Sequence, residues 1–248
     1  MPIPLNERRS LAELMDAPDV EPGAHREALA GLRRINRASG TVGRMAGPIL
    51  AWARKGGKTS IRMLDVACGG GDVPVGVAGV LRRAGISVEL TLMDMSATAL
   101  EEAASLGRAA GVSVACTQGA APQGLPAGAF DVVTNSLFLH HLTARATVET
   151  LAAMKDRVTP GPGGGLLVIS DLRRSVMGYV IAWAGCRVLS RSYLVHHDGP
   201  VSVKAAWTLA ELRGMAQEAG LEEGRRLRVE RSWPWRMRLV WERGGGGA

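Results

Sequence analysis

Aromatic side chains are scarce in this sequence, with six tryptophans, two tyrosines and two phenylalanines in 248 residues. No stretch interleaves them with basic residues in the manner of a nucleic-acid-binding module. Cysteine is scarcer still. Cys68, Cys116 and Cys186 lie far apart, no pair has metal-ligand spacing, and no disulfide framework suggests itself. They read as buried, reduced thiols of a cytoplasmic protein, and no metal site is expected. Long apolar runs are also missing. The best candidate, residues 176–189, is too short to span a bilayer and contains Arg187. Pro, Asn and Glu precede any apolar run at the N-terminus, unlike a signal peptide. There is no internal repeat and no separate second domain.

What is present is a core-forming chain with a basic balance. Hydrophobic residues make up 46% of the sequence, ample for one large domain. The net charge is +7. Such a charge suits nucleic acid or an anionic surface, but the arginines are scattered, denser only at 33–37, 173–174 and 225–228. Nucleic acid is not expected as a partner.

The chain is organised around Ile61-Arg62-Met63-Leu64-Asp65-Val66-Ala67-Cys68-Gly69-Gly70-Gly71-Asp72. An apolar run ends at an acid, a glycine-rich turn follows, and residues 73–83 read as a helix. Glycine lets such a loop take positive φ and lie close against a ligand. Asp72 falls where its side chain can cap the helix. A second strand, residues 88–94, ends at Asp94, about 20–30 residues beyond the loop, where a doubly wound nucleoside site carries its ribose carboxylate. Met95 follows and is placed to lie on an adenine face.

At these residues the sequence resembles the class I S-adenosylmethionine-dependent methyltransferases. Their later landmarks recur in order: Phe130-Asp131-Val132-Val133-Thr134-Asn135-Ser136, Leu139-His140-His141-Leu142, and Gly163-Gly164-Gly165-Leu166-Leu167-Val168-Ile169-Ser170-Asp171. The resemblance implies S-adenosyl-L-methionine as cofactor and S-adenosyl-L-homocysteine as product. It implies cofactor contacts from Asp65, Ala67, Cys68, Gly69, Gly71, Asp94, Met95, Gly119, Ala120, Asn135, Ser136 and His140. Ala67 stands where the family usually has glycine, which fits an extended loop. Gly119-Ala120-Ala121 replaces the family's adenine-binding acid, leaving adenine to backbone and apolar contacts.

The expected fold is α/β: a Rossmann-like, doubly wound, mostly parallel seven-stranded sheet closed by a C-terminal antiparallel hairpin. Residues 1–58 form an N-terminal helical cap, with helices at 11–15, 21–38 and 41–54, the last interrupted at Gly47-Pro48. They either cover a sheet edge or form part of a lid. The methyltransferase domain spans 59–243, with strands also at 112–117, 130–135 and 166–170, and helices at 97–110 and 143–158. Within it, 172–206 is a helical insertion whose Asp198-Gly199-Pro200 reads as a turn. Thr208-Leu209-Ala210-Glu211 has the form of a capping box, and Gly220 stops that helix. Residues 227–231 and 237–241 form the closing hairpin, and 244–248 a flexible tail.

Methyl transfer needs the nucleophile held in line and sometimes a base. The candidate bases are His197, beside Asp198, and His141, with His140 near the cofactor; turn or capping roles are the alternative for each. His25 reads as a solvent-facing helix residue. Tyr179, Trp183, Tyr193 and His196 are candidate acceptor contacts, with core packing as the alternative for the aromatics. The acceptor is expected to be small and aromatic or lipophilic, a phenol, quinone or polyketide, methylated on oxygen. Carbon or nitrogen methylation, a nucleic-acid methyltransferase and a non-catalytic cofactor-binding protein are the rival readings. Nothing in the sequence separates monomer from homodimer.

Overall fold

The computed structural model describes residues 5–17, 19–161, 163–221 and 227–244. The expected tail lies outside them except for Gly244. The elements alternate as a doubly wound chain requires: α1 (Pro22–Ala38), α2 (Thr41–Lys55), β1 (Ser60–Val66), α3 (Asp72–Arg83), β2 (Ser87–Asp94), α4 (Ala97–Ala110), β3 (Val114–Gln118), β4 (Val132–Ser136), α5 (Ala144–Arg157), β5 (Leu166–Leu172), α6 (Val176–Leu189), α7 (Tyr193–Ala205), α8 (Leu209–Glu218), β6 (Arg228–Ser232) and β7 (Arg236–Glu242). The seven strands form one sheet in the order β3-β2-β1-β4-β5-β7-β6. β1 to β5 pair in parallel, and β7 runs antiparallel to both β5 and β6. The order reverses between β1 and β4, so the ligand crevice of this architecture opens at their carboxyl ends.

Alternation along the strands divides the core in two. Ile61 and Met63 pack with α2, α3 and α4 on one face, while Leu64 and Val66 pack with α5 and α8 on the other. A third, smaller cluster joins Ala28 of α1 to Cys186 of α6 and Leu194 and Val195 of α7. The two N-terminal helices therefore part company. α2 belongs to the sheet face, and α1 belongs with the two helices that follow β5.

Several local expectations need correction. α2 is continuous through Pro48. Proline leaves the Arg44 carbonyl without its helical donor, and the Arg238 guanidinium supplies one at 2.9 Å. Residues 198–200 are helical, not a turn, with Pro200 inside α7. Buried Asp198 does not start a turn there. Its carboxylate accepts the Leu14 and Met15 N–H groups at 2.8 and 2.9 Å. Gly199 lets α6 close in, since a Cβ on it would lie 2.2 Å from Cys186 Sγ. The first helical turn is a 3-10 turn at Leu14–Asp16, three residues later than expected. Thr208 and Glu211 do form a reciprocal capping box. Asp72 is the first helical residue of α3 rather than its cap, and its carboxylate accepts from Asn36 Nδ2 at 3.1 Å.

Candidate active site

The carboxyl ends of β1, β2, β4 and β5 bring four polar residues to one rim. Asp65 pairs in register with Thr134, and Val66 with Asn135. The Thr134 hydroxyl accordingly donates to Asp65 Oδ2 at 2.5 Å, and Asn135 Nδ2 donates to the Val66 carbonyl at 2.7 Å. Asp65 is 1% exposed. Burial raises its pKa to about 8, with nearby Asp72 and Asp94 adding to the rise against the Thr134 hydrogen bond. Two polar atoms beside it, Asn135 Oδ1 and Ser136 Oγ, are buried without a hydrogen-bond partner.

The loop after β1 is built on left-handed backbone. Gly69 and Gly71 have φ of 52° and 73°. A Cβ on Gly71 would also sit 2.7 Å from that of Ala103 in α4, so glycine is required there twice over. Ala67 is not extended, as its sequence suggested, but has φ 55°. An L-residue in that region costs about 1–2 kcal/mol. Leu29 of α1 lies over the loop, 3.6 Å from where a Cβ of Gly70 would be. Cys68 is buried, its N–H bonded to the Met93 carbonyl at 2.9 Å, and burial pushes its thiol pKa far up. It is an inert lining group.

Asp94 takes one backbone N–H on each oxygen, Gly69 at 2.8 Å on Oδ2 and Ser96 at 2.9 Å on Oδ1. A carboxylate has about four acceptor positions, so each oxygen keeps capacity for a hydroxyl. Met95 beside it is 71% exposed, an apolar side chain left open. Gly119 follows β3, donating its N–H to the Asp94 carbonyl at 3.0 Å, and the Ala120 carbonyl accepts from Gly124 at 2.7 Å. The glycine loop, Asp94, Met95 and the Gly119–Ala120 turn thus form a continuous edge.

After β4 the chain makes a 3-10 turn, Leu139–His141. Buried His140 holds Asp171 at the end of β5, Nδ1 lying 2.6 Å from Oδ1. Burial alone would raise the Asp171 pKa, but His140 holds it below the usual range. His141 Nδ1 faces Asp16 Oδ2 at 2.9 Å, and the two imidazole centroids are 4.3 Å apart. Burial opposes charging of His141, yet the Asp16 hydrogen bond and the Glu13 and Asp16 charges raise its pKa to about 9.

Residues 63–161 match the sequence family described as a methyltransferase domain. A curated relative, a ubiquinone biosynthesis O-methyltransferase of Thiobacillus denitrificans, is 34% identical over 164 residues, 65% of this chain and 64% of the relative. The chain therefore spans somewhat under two thirds of that relative's length. Among solved structures, the plantazolicin methyltransferase BpumL aligns over 90% of this chain and 88% of its own, with TM-score 0.60 and 12% identity. The magnesium protoporphyrin IX methyltransferase of Synechocystis PCC 6803 aligns over 81% and 83%, with TM-score 0.53 and 13% identity. At these identities the likeness is one of fold.

Residues 63–161 carry a methyltransferase domain.

Around this methyltransferase domain the acceptor-side candidates are placed unevenly. His196 spends its Nε2–H on the Ser190 carbonyl at 2.8 Å. His197 is exposed, its Nδ1 facing Asp198 Oδ1 at 2.8 Å. Tyr193 and Trp183 are 64% and 47% exposed. Arg187 stacks on Trp183, and Lys204 lies over the half-buried Tyr179. α6 leaves Val176, Met177 and Val180 open to solvent. His25 is half-buried rather than solvent-facing; burial lowers its pKa, with Asp94 and Asp16 opposing. Sequence reasoning missed Arg8, Glu13 and Asp16. Arg8 stacks on Trp207, its centre 3.7 Å from the ring centroid, and donates to the carbonyls of His140, Leu142 and Ala205. No local pattern marks such residues, because they act across more than a hundred positions. Among the described residues, no helix is long and apolar enough to cross a membrane.

Proposed function

We propose that this chain is an S-adenosylmethionine-dependent methyltransferase that methylates an oxygen of a small aromatic or lipophilic acceptor. The observation that carries the reading is Asp65, a buried carboxyl group with no ion-pair partner among the described residues, at the sheet's switch point and next to the half-filled Asp94 carboxylate. A ligand bearing an ammonium group and a ribose fits both needs. Asp65 takes the ammonium, and Asn135 Oδ1 and Ser136 Oγ are further unsatisfied atoms available to it. Asp94 takes the ribose hydroxyls. Met95 and the Gly119–Ala120 backbone take the adenine. When bound, the cofactor supplies an electrophilic methyl group on a sulfonium.

This chain's own task is then to position the acceptor, exclude water and accept a proton. His197 and His141 are the candidate bases. Each has Nδ1 against a carboxylate; His141, with its pKa raised to about 9, is already protonated at neutral pH and can act as a base only above it, so His197 Nε2 is the one left to take the proton. α6 and α7, packed with α1, form the acceptor side, with Tyr179, Trp183 and Tyr193 as contacts. The named activities of the O-methyltransferase relative and the neighbours support this reading. The test is transfer of a labelled methyl group to a panel of phenols and hydroxyquinones. Transfer that disappears in Asp94→Ala supports the reading; label appearing only in RNA or DNA refutes it.

A further inference from the structure

We propose that Glu13, His140 and His141 bind a divalent metal ion of the zinc class. Their free donor atoms converge. His140 Nε2 lies 3.7 Å from Glu13 Oε1, and His141 Nε2 lies 3.9 Å from Oε2. One donor atom from each of the three residues lies within 4.8 Å of the others. These separations are too long for hydrogen bonds. They are also close to what an ion needs, since donors about 2.0–2.2 Å from zinc stand roughly 3.4 Å apart in a tetrahedral site. A contraction of about 1 Å closes the site.

The outer partners argue for a metal more strongly than the distances. Each imidazole has Nδ1 on a carboxylate, Asp171 for His140 at 2.6 Å and Asp16 for His141 at 2.9 Å. With Nδ1 turned outward, both Nε2 atoms face the same glutamate, and an ion binding there displaces any proton they carry. Metal-binding histidines are oriented by this carboxylate–imidazole arrangement. Glu13 is itself held, accepting from the Ser202 hydroxyl at 2.5 Å. Its segment is pinned by Asp198, which accepts the next two N–H groups of the chain. Two histidines and one glutamate, with an open fourth position, are a known zinc set, and nitrogen donors disfavour magnesium and calcium. The competing occupant is a proton shared between His141 and Glu13.

His140 and His141 follow β4 and Asp171 lies at the end of β5, so the cluster stands at the carboxyl ends of those strands, and the fourth position of such a site is filled from outside the three residues. Resting on the methyl-transfer reading, an ionised acceptor oxygen would take it, and His141 would be a ligand and not a base. The metal site itself does not depend on that reading.

The experiment uses full-length protein without a histidine tag, stripped with a chelator. Cobalt(II) is titrated and followed by visible d–d absorption, then displaced by zinc. One ion per chain is expected. His141→Ala and Glu13→Gln should weaken binding more than about 100-fold, and Asp16→Asn about 10–100-fold, since outer partners contribute that much. His196→Ala should bind as the wild type does. Wild-type affinity matched by both ligand variants, or by His141→Ala alone, overturns the proposal, as does wild-type binding in the millimolar range. Asp16→Asn and Glu13→Gln keep the test decisive if His141→Ala does not fold. S-adenosylhomocysteine binding to the stripped protein is measured alongside, so failure of the cofactor reading is seen separately.

Discussion

If Asp65 takes the cofactor's ammonium group as proposed, cofactor binding and folding depend on pH in opposite ways. Its carboxyl ionises near 3.8 in an unfolded chain and near 8 in the fold, mainly because burial penalises the charge. Between those values the folded state holds the extra proton, so stability falls as pH rises. Each pKa unit is about 1.4 kcal/mol, so at pH 7 the penalty is about 4 kcal/mol. At pH 4 it is under about 1 kcal/mol. Asp65→Asn keeps an acceptor for the Thr134 hydroxyl and removes the penalty. It should raise the melting temperature at pH 7 by up to roughly 8–16 °C, at 2–4 °C per kcal/mol, with little gain at pH 4. An ammonium ligand reverses the preference and binds the ionised form. Calorimetric titration with S-adenosylhomocysteine at pH 7, in buffers of different ionisation enthalpy, should therefore release close to one proton. Affinity should weaken about 50-fold from pH 8 to pH 6, and Asp65→Asn should bind poorly and without that dependence. A pH-independent affinity, or an Asp65→Asn protein less stable at pH 7, would refute the reasoning.

Four further outcomes are expected. Ala67→Gly should stabilise the protein by about 1 kcal/mol, because the residue sits at φ 55°; denaturant melts showing no gain would place the strain elsewhere. In metal-free protein the His141 imidazole should titrate near 9 by NMR and fall in Asp16→Asn. The stability it lends is complete below about pH 6.5 and is lost as pH climbs through about 9. Arg236 is buried and donates to Thr41 and Asn36 at 2.7 and 3.3 Å; Arg236→Ala should cost about 1–3 kcal/mol in a chemical melt through the acceptors it leaves unpaired. His197→Ala should lower turnover at least about 100-fold at neutral pH with cofactor affinity unchanged, and less at high pH, where a phenol ionises unaided; unaltered turnover would leave positioning as the driving force.

The proposed nucleoside edge was legible in the sequence because it is local. A strand, its terminal acid and its glycine turn are neighbours along the chain, and two such units with fixed spacing place Asp65, Gly69, Gly71 and Asp94 together. The hairpin and the capping box were legible for the same reason. The conformation of Ala67 was not, since an alanine gives no sign of positive φ until the loop is closed by Gly69 and Asp94. Pro48 and Asp198-Gly199-Pro200 carry breaker residues that tertiary contacts override: Arg238 replaces the missing donor at one, and the N–H groups of Leu14 and Met15 occupy Asp198 at the other. The Glu13–His140–His141 cluster was hidden because the glutamate reaches the histidines from more than a hundred residues away.

The most direct test of cofactor binding at this edge is a titration of S-adenosylhomocysteine into wild-type protein and Asp94→Ala. One saturable site per chain is predicted, weakened roughly 10- to 100-fold in the variant, because the ribose loses a charged acceptor and Gly69 loses its anchor. No saturable binding to the wild type, or equal affinity in the two proteins, would contradict the account.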